Sequence, residues 1–275
     1  MFINCKGNLI DLNEPKISGI LNITPDSFFD GGRYNGIEQA LFRVEKMLKE
    51  GADFIDIGAS STNPKSIIIS EDEELQRIVP VLERIIKEFP ETIISIDTFY
   101  AKVAKETIYA GAAFINDVSA GTVDEQMFET IAQLNVPYVL SHIKAPFSKR
   151  FDEYNYDNVT TEINYFFSER IFKLNELQVN DIILDPGFGF SKNSKQNFFV
   201  LKNLDLLKIH ELPILAGLSR KSMLYKTLNI LPAEALNATS AVHMVALQNG
   251  ANILRVHDVK EAVEVITIFN QLKNA

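Results

Sequence analysis

One unit recurs along this chain: a short run of Ile, Leu, Val and Phe that ends in polar residues and gives way to a segment of helical periodicity. In its first occurrence Ile17, Ile20, Leu21 and Ile23 supply the side chains of a strand covered on both faces, Pro25 stops the ladder, and Gly31 and Gly32 allow a turn before a helix. The same pattern predicts seven further strands, at residues 54–58, 92–97, 113–117, 137–142, 181–185, 213–217 and 252–256. Helical spacing falls at 37–50, 71–89, 103–109, 125–134, 159–177, 233–248 and 262–272, and two segments, 221–229 and 232–249, share the interval before the last strand. Eight strands each followed by a helix specify an α/β fold, a (β/α)8 TIM barrel. Residues 2–12 form two short apolar stretches about a Gly7-Asn8 turn, predicting a hairpin that closes the bottom of the barrel. No linker or charge block divides the chain, so residues 1–275 read as a single domain.

Barrels of this kind carry their chemistry at the carboxyl ends of the strands. Asn22, Asp56, Asp97, Asn116, His142, Asp185 and Arg255 fall at or near those ends, and the first loop adds Asp26 and Asp30. Taken singly, Asp56 and His142 read as strand-end residues bonded to backbone. Taken together, so many carboxylates and amides are too costly to bury without a polar ligand, which implies a central hydrogen-bonding pocket. Thirty-six acidic against 27 basic residues, a net charge of −9, exclude broad binding to nucleic acid or to an anionic membrane. An anionic substrate must then be met by local cations. Cys5 is the single cysteine and cannot form an internal disulfide, and no run approaches the roughly 18 apolar residues of a membrane span. With no leader pattern at the start, a soluble cytoplasmic protein is expected.

Six segments then carry a resemblance: 19–28 (Gly-Ile-Leu-Asn-Ile-Thr-Pro-Asp-Ser-Phe), 96–98 (Ile-Asp-Thr), 115–119 (Ile-Asn-Asp-Val-Ser), 185–190 (Asp-Pro-Gly-Phe-Gly-Phe), 217–222 (Gly-Leu-Ser-Arg-Lys-Ser) and 250–259 (Gly-Ala-Asn-Ile-Leu-Arg-Val-His-Asp-Val). In this order and on these strands, the chain resembles the dihydropteroate synthase group of the pterin-binding family nearly end to end. The resemblance implies condensation of 4-aminobenzoate with 6-hydroxymethyl-7,8-dihydropterin diphosphate, giving 7,8-dihydropteroate and pyrophosphate in folate biosynthesis. Asp185 suits a pterin's amino group and ring N–H because a carboxylate accepts two donors in parallel. Asp97 and Asn116 would read the other ring groups, Lys221 would donate to the acceptor side, and Arg255 would lie on the pterin face and reach the diphosphate. Cations at Arg220 and Lys221, before a helix start, are unfavourable on dipole grounds and point to an anionic or electron-rich ligand. The resemblance further implies diphosphate contacts from Asn22, Thr62, Asn63, Arg255 and His257, with Mg²⁺ at Asn22. It also implies an aminobenzoate pocket of Phe28, Thr62, Pro64, Phe190, Lys221 and Ser222, catalytic roles for Asp26, Asp30, Lys221, Arg255 and His257, closing loops after the first two strands, and a homodimer.

The sequence leaves the family's usual pattern in two places. Residues 58–65 read Gly-Ala-Ser-Ser-Thr-Asn-Pro-Lys where Gly-Gly-Glu-Ser-Thr-Arg-Pro-Gly is usual, so Asn63 stands where an arginine is expected at the diphosphate. Residues 141–144 read Ser-His-Ile-Lys where Met-His-Met followed by Arg or Lys is usual, which bears on one apolar wall of the pterin pocket. Three functions stay in competition at this point: an active synthase, a weakened or non-catalytic pterin-binding paralogue, and a pterin-dependent methyltransferase of the same superfamily. Segments 219–221 and 255–257 favour the synthase over the methyltransferase.

Overall fold

The computed structural model describes residues 1–23, 33–59, 68–144 and 146–275, with 33–35 as backbone. Strands β1 (Phe2–Cys5) and β2 (Asn8–Asp11) form an antiparallel hairpin. The remaining strands are β3 (Lys16–Asn22), β4 (Phe54–Gly58), β5 (Ile93–Asp97), β6 (Phe114–Asp117), β7 (Tyr138–Ser141), β8 (Ile182–Asp185), β9 (Leu215–Ala216) and β10 (Ile253–Val256). They are hydrogen-bonded in the order β8-β7-β6-β5-β4-β3-β10-β9, every pair parallel, and a Leu184–Ile214 bridge closes the ring. Helices α1 (Arg33–Glu50), α2 (Glu71–Glu88), α3 (Ala101–Tyr109), α4 (Met127–Leu134), α5 (Val159–Glu176) and α6 (Ser194–Lys202) alternate with them. Between β9 and β10 the helical segment is doubled, as the sequence predicts, into α7 (Ser222–Leu228) and α8 (Leu236–Gln248); α9 (Val259–Lys273) ends the chain.

Alternation along each strand sorts the residues. Ile55, Ile57, Ile94, Ile96, Ile115 and Leu184 share one buried cluster with helix residues such as Val44, Met47, Ile78 and Ile163. Each such aliphatic side chain contributes about 1.5–3 kcal/mol on burial. The opposite parity faces the barrel interior. At its lower level Phe54, Phe114, Val139, Ile183, Leu215 and Ile253 pack with Ile3, Cys5 and Leu12 of the hairpin region, which therefore plugs the bottom. At the upper level the register sets Asp56 beside Ser95, Asp97 beside Asn116, and Ser141 beside Asp185. Apolar side chains seal one end, and the polar ones gather at the other.

Two local expectations are corrected. The hairpin turn is Lys6-Gly7 rather than Gly7-Asn8: both residues have positive φ, 55° and 86°, the conformation that matches the twist of a two-residue hairpin, and Asn8 already pairs with Cys5. The strand expected over 213–217 shrinks to Leu215–Ala216, because Pro213 has no N–H and the Ile214 N–H donates to the Asn252 side chain at 2.9 Å.

Candidate active site

The polar level is organised by Arg255 on β10. Its Nε donates to Asp56 Oδ2 and its Nη2 to Asp97 Oδ2, each at 2.6 Å. Asp56, 1% exposed, also accepts from Ser95 Oγ at 2.6 Å and Asn116 Nδ2 at 3.1 Å. Its partners are thus side chains of three strands and not the backbone groups expected from sequence, because the strand register stacks polar residues on one level. Burial opposes the charge on Arg255, but Asp56 and Asp97 hold its pKa above the ordinary value. Asp97 is pushed up to about 7, first by burial and then by Asp56 and Asp117, with Arg255 and Lys221 opposing. Asp117 stands apart: it accepts from Tyr138 Oη at 2.6 Å and from the N–H groups of Ser119 and Gly121 at 2.7 and 2.8 Å, so it fastens the loop after β6.

Asp185 ends β8. Its Oδ1 accepts the Gly187 N–H at 2.8 Å and its Oδ2 faces Ser141 Oγ at 3.4 Å. Burial raises its pKa, opposed by the Gly187 N–H and by Lys221, Arg255 and Lys192. Asp97, Asn116, Ser141, Asp185, Phe190, Lys221 and Arg255 line one cleft with Val118, Phe188 and Gly217. Lys221 caps the start of α7 with its Nζ 4.7 Å from the centre of the Phe190 ring. Burial, and then Arg255, lower its pKa to about 8. Phe190 is buried and tilts against Phe151 at 5.4 Å. Ser222 is the first residue of α7, and Asn22 the last of β3, both half-buried.

His257 follows β10, half-buried. Its backbone N–H donates to Ser219 Oγ at 3.2 Å and its Nδ1 lies 3.0 Å from the same oxygen. The Ser219 hydroxyl can donate to Nδ1, and in that tautomer the ring proton sits on Nε2. Burial and Arg255 lower the ring's pKa to about 4, so at neutral pH it offers a neutral N–H. Arg220 does not join this group. Its Nε and Nη2 grip Asp258 at 2.8 and 3.0 Å and its Nη1 donates to the carbonyls of Pro232 and Ala233, so of the two cations before α7 only Lys221 lines the cleft. Ile143, at the second sequence departure, keeps an apolar role by packing with Phe99 and Phe147. Asp26, Phe28, Asp30, Thr62, Asn63 and Pro64 lie outside the described residues. Sequence reasoning passed over Ser95 and Lys192 and met Ser141 only as a departure from the usual pattern; Lys192, in a Ser-Lys-Asn-Ser-Lys stretch, carries no signal of burial.

The sequence profile of the pterin binding enzymes matches residues 18–257, spanning the whole cleft. The chain belongs to this family. Among its relatives, dihydropteroate synthase of Escherichia coli (strain K12) is 38% identical over 270 residues, 98% of this chain and 95% of that protein. A crystal structure of the Yersinia pestis dihydropteroate synthase with a sulfonamide drug superposes with a TM-score of 0.93 at 40% identity, covering 100% of both chains. The Xanthomonas albilineans enzyme in complex with 7,8-dihydropteroate gives 0.89 at 35% identity, again covering 100% of both. The cleft brings together acceptors at Asp185 and Asp97, an amide at Asn116, and cations at Lys221 and Arg255.

Proposed function

We infer that this chain is a working dihydropteroate synthase, joining 4-aminobenzoate to 6-hydroxymethyl-7,8-dihydropterin diphosphate. The observation that carries the reading is Asp185, a buried carboxylate anchored through Oδ1 with Lys221 and Arg255 on the same cleft. In this proposal Asp185 accepts from the pterin amino group and ring N–H, and Asp97 and Asn116 read the remaining edge. A site built to satisfy such groups rejects analogues lacking them by factors up to about 10⁴. Lys221 donates to the ring's acceptor side, and Arg255 stacks on the pterin while its guanidinium extends toward the diphosphate. Phe190, Lys221 and Ser222 border the aminobenzoate.

Chemically, the bond between the pterin methylene carbon and the diphosphate oxygen breaks, pyrophosphate leaves with the electron pair, and the amine nitrogen supplies the new bond and loses a proton. The aromatic amine is already neutral at pH 7, so leaving-group departure is the step to assist. His257 would donate Nε2–H to the departing anion and Arg255 would offset its charge. Asn22 contributes one neutral oxygen, which suits Mg²⁺ shared with substrate phosphates, since that ion binds through few protein ligands. When bound, the ion would neutralise developing charge on the diphosphate. Roles for Asp26, Phe28, Asp30, Thr62, Asn63 and Pro64 rest on the resemblance alone. Loop closure after β3 and β4 is part of the same proposal.

We also propose one domain, a cytoplasmic location and a homodimer. Exposed Tyr165 and Phe172, one face of α5, and Leu206 and Ile209, near Asn164 of that helix, supply an apolar surface for a second copy. The function is tested by incubating the chain with both substrates and Mg²⁺ and measuring dihydropteroate and pyrophosphate together. Equimolar products are expected; neither product from a chain that binds pterin would leave a non-catalytic binding protein.

A further inference from the structure

Lys192 is 5% exposed and takes no part in the chemistry above. Its Nζ lies 3.0 Å from His142 Nδ1, 3.1 Å from Gly187 O and 3.1 Å from Phe190 O. An ammonium has three protons and no lone pair, so three converging acceptors satisfy it completely. A neutral amine would turn its lone pair on one of them, which only His142 could meet, by donating from Nδ1. The cage favours the charged form, while burial opposes it and, with Lys221 adding and Asp185 opposing, lowers the lysine's pKa from 10.5 to about 7. For His142 to accept at Nδ1, its proton must sit on Nε2.

The acceptors span two strands. His142 follows β7, and its backbone N–H donates to Asp185 O at 2.8 Å. Gly187, in the loop after β8, has φ +68°, and a Cβ there would fall 2.1 Å from the His142 carbonyl oxygen, so the two backbones are in direct contact. Between these contacts lies Asp185, and just beyond them Phe190.

We propose that Lys192 is a positioning residue of this site: its ammonium ties the loop after β8 to the end of β7 and so fixes how Asp185 and Phe190 present themselves to the cleft. The proposal rests on the reading of that cleft as the pterin and aminobenzoate site. Removing the cation frees two loop carbonyls and the His142 ring at once, and takes a positive charge from the neighbourhood of Asp185. Substrate binding should suffer more than turnover.

The test compares the wild-type chain with Lys192→Met, which keeps the length of the side chain. Calorimetry with 6-hydroxymethylpterin should give at least tenfold weaker binding, and steady-state kinetics a KM for 4-aminobenzoate raised at least fivefold with kcat changed less than threefold. Wild-type pterin affinity and KM in a folded variant, or a loss confined to kcat, would overturn the proposal. Independently of the variant, ¹⁵N spectra of histidine-labelled wild type should place the His142 proton on Nε2; a proton on Nδ1 removes the acceptor and overturns the tie. A wild-type chain that neither binds pterin nor forms product overturns the functional reading instead, and the proposal with it.

Discussion

Arg255 donates from Nε to Asp56 Oδ2 at 2.6 Å, joining β10 to β4 inside the barrel between residues 199 positions apart in sequence. The bond makes Asp56 the anchor of the site, since the same carboxylate also holds Ser95 and, through Oδ2, Asn116. Removing one member of a buried ion pair costs about 3–5 kcal/mol where the other charge is left uncompensated, but here Asp97 stays paired with Arg255. Asp56→Asn should therefore lower stability by less than that amount in urea unfolding, and should weaken pterin binding because Arg255 exchanges a charged partner for a neutral amide oxygen that it must share with Asn116. A variant as stable as wild type and binding pterin equally well would show that Asp56 is dispensable to the arrangement.

At Asp185 the same substitution has a different expected outcome. The amide oxygen of Asp185→Asn can still accept the Gly187 N–H, so the loop stays in place, whereas the amide nitrogen replaces the oxygen that faces Ser141 and the cleft. The fold should survive and pterin affinity should fall by about 1.5–3 kcal/mol or more, the worth of a charged hydrogen bond in a dry site. Unchanged pterin affinity by calorimetry, in a variant with an unaltered thermal midpoint, would refute the assignment.

Much of this site was legible because alternation and strand ends are local. Asp97, Asn116, Asp185 and Arg255 lie on the same cleft as the strand pattern implied. What was not legible depends on register between strands far apart in the chain. Nothing near Asp56 announces that Ser95, Asn116 and Arg255 will converge on it, so it reads as an ordinary strand residue. Arg220 and Lys221 are neighbours in sequence with opposite fates, because Arg220 has positive φ, +54°, and turns to Asp258. For Lys192, the capping box between Asn193 and Gln196 marks the start of α6 but leaves the burial of the preceding lysine to tertiary packing.

Glu74 gives a stability prediction with a defined sign. It is 1% exposed in the first turn of α2, and its Oε2 has no hydrogen-bond partner among the described residues. Burial raises its pKa from 4.5 to about 7, with Thr98 and Arg77 opposing and Asp97 adding to the rise. Between those two values the folded chain binds more protons than the unfolded chain, so stability falls as pH rises through that window. Glu74→Gln should match wild type near pH 4 and exceed it by roughly 2–3 kcal/mol at pH 8. Urea titrations at the two pH values check this, and a constant difference would mean that Glu74 does not titrate in the window.

Lys221 should show the opposing demands of stability and activity. Burial and Arg255 outweigh the attraction of Asp185 and Asp97, lowering its pKa from 10.5 to about 8. Here the folded chain binds fewer protons than the unfolded one between those values, so this group's contribution grows more favourable as pH rises from about 8 to 10.5. Below that window the buried charge is a standing cost. Lys221→Met keeps the stem that packs beside Phe190 and removes the charge, so at pH 7 the variant should be more stable than wild type. The gain should be roughly 1–2 kcal/mol, discounted because a half-buried ammonium keeps some of its water. It should disappear by about pH 10.5, where wild-type Lys221 folds without the charge and little of the cost remains. The same variant should lose at least tenfold in kcat/KM for the pterin diphosphate, because a donor to the ring and a cation near the leaving group vanish together. Paired unfolding and kinetic measurements decide the matter: a variant both less stable and less active at pH 7 would mean that Lys221 is held by structural contacts, and a variant more stable and fully active would remove it from the site.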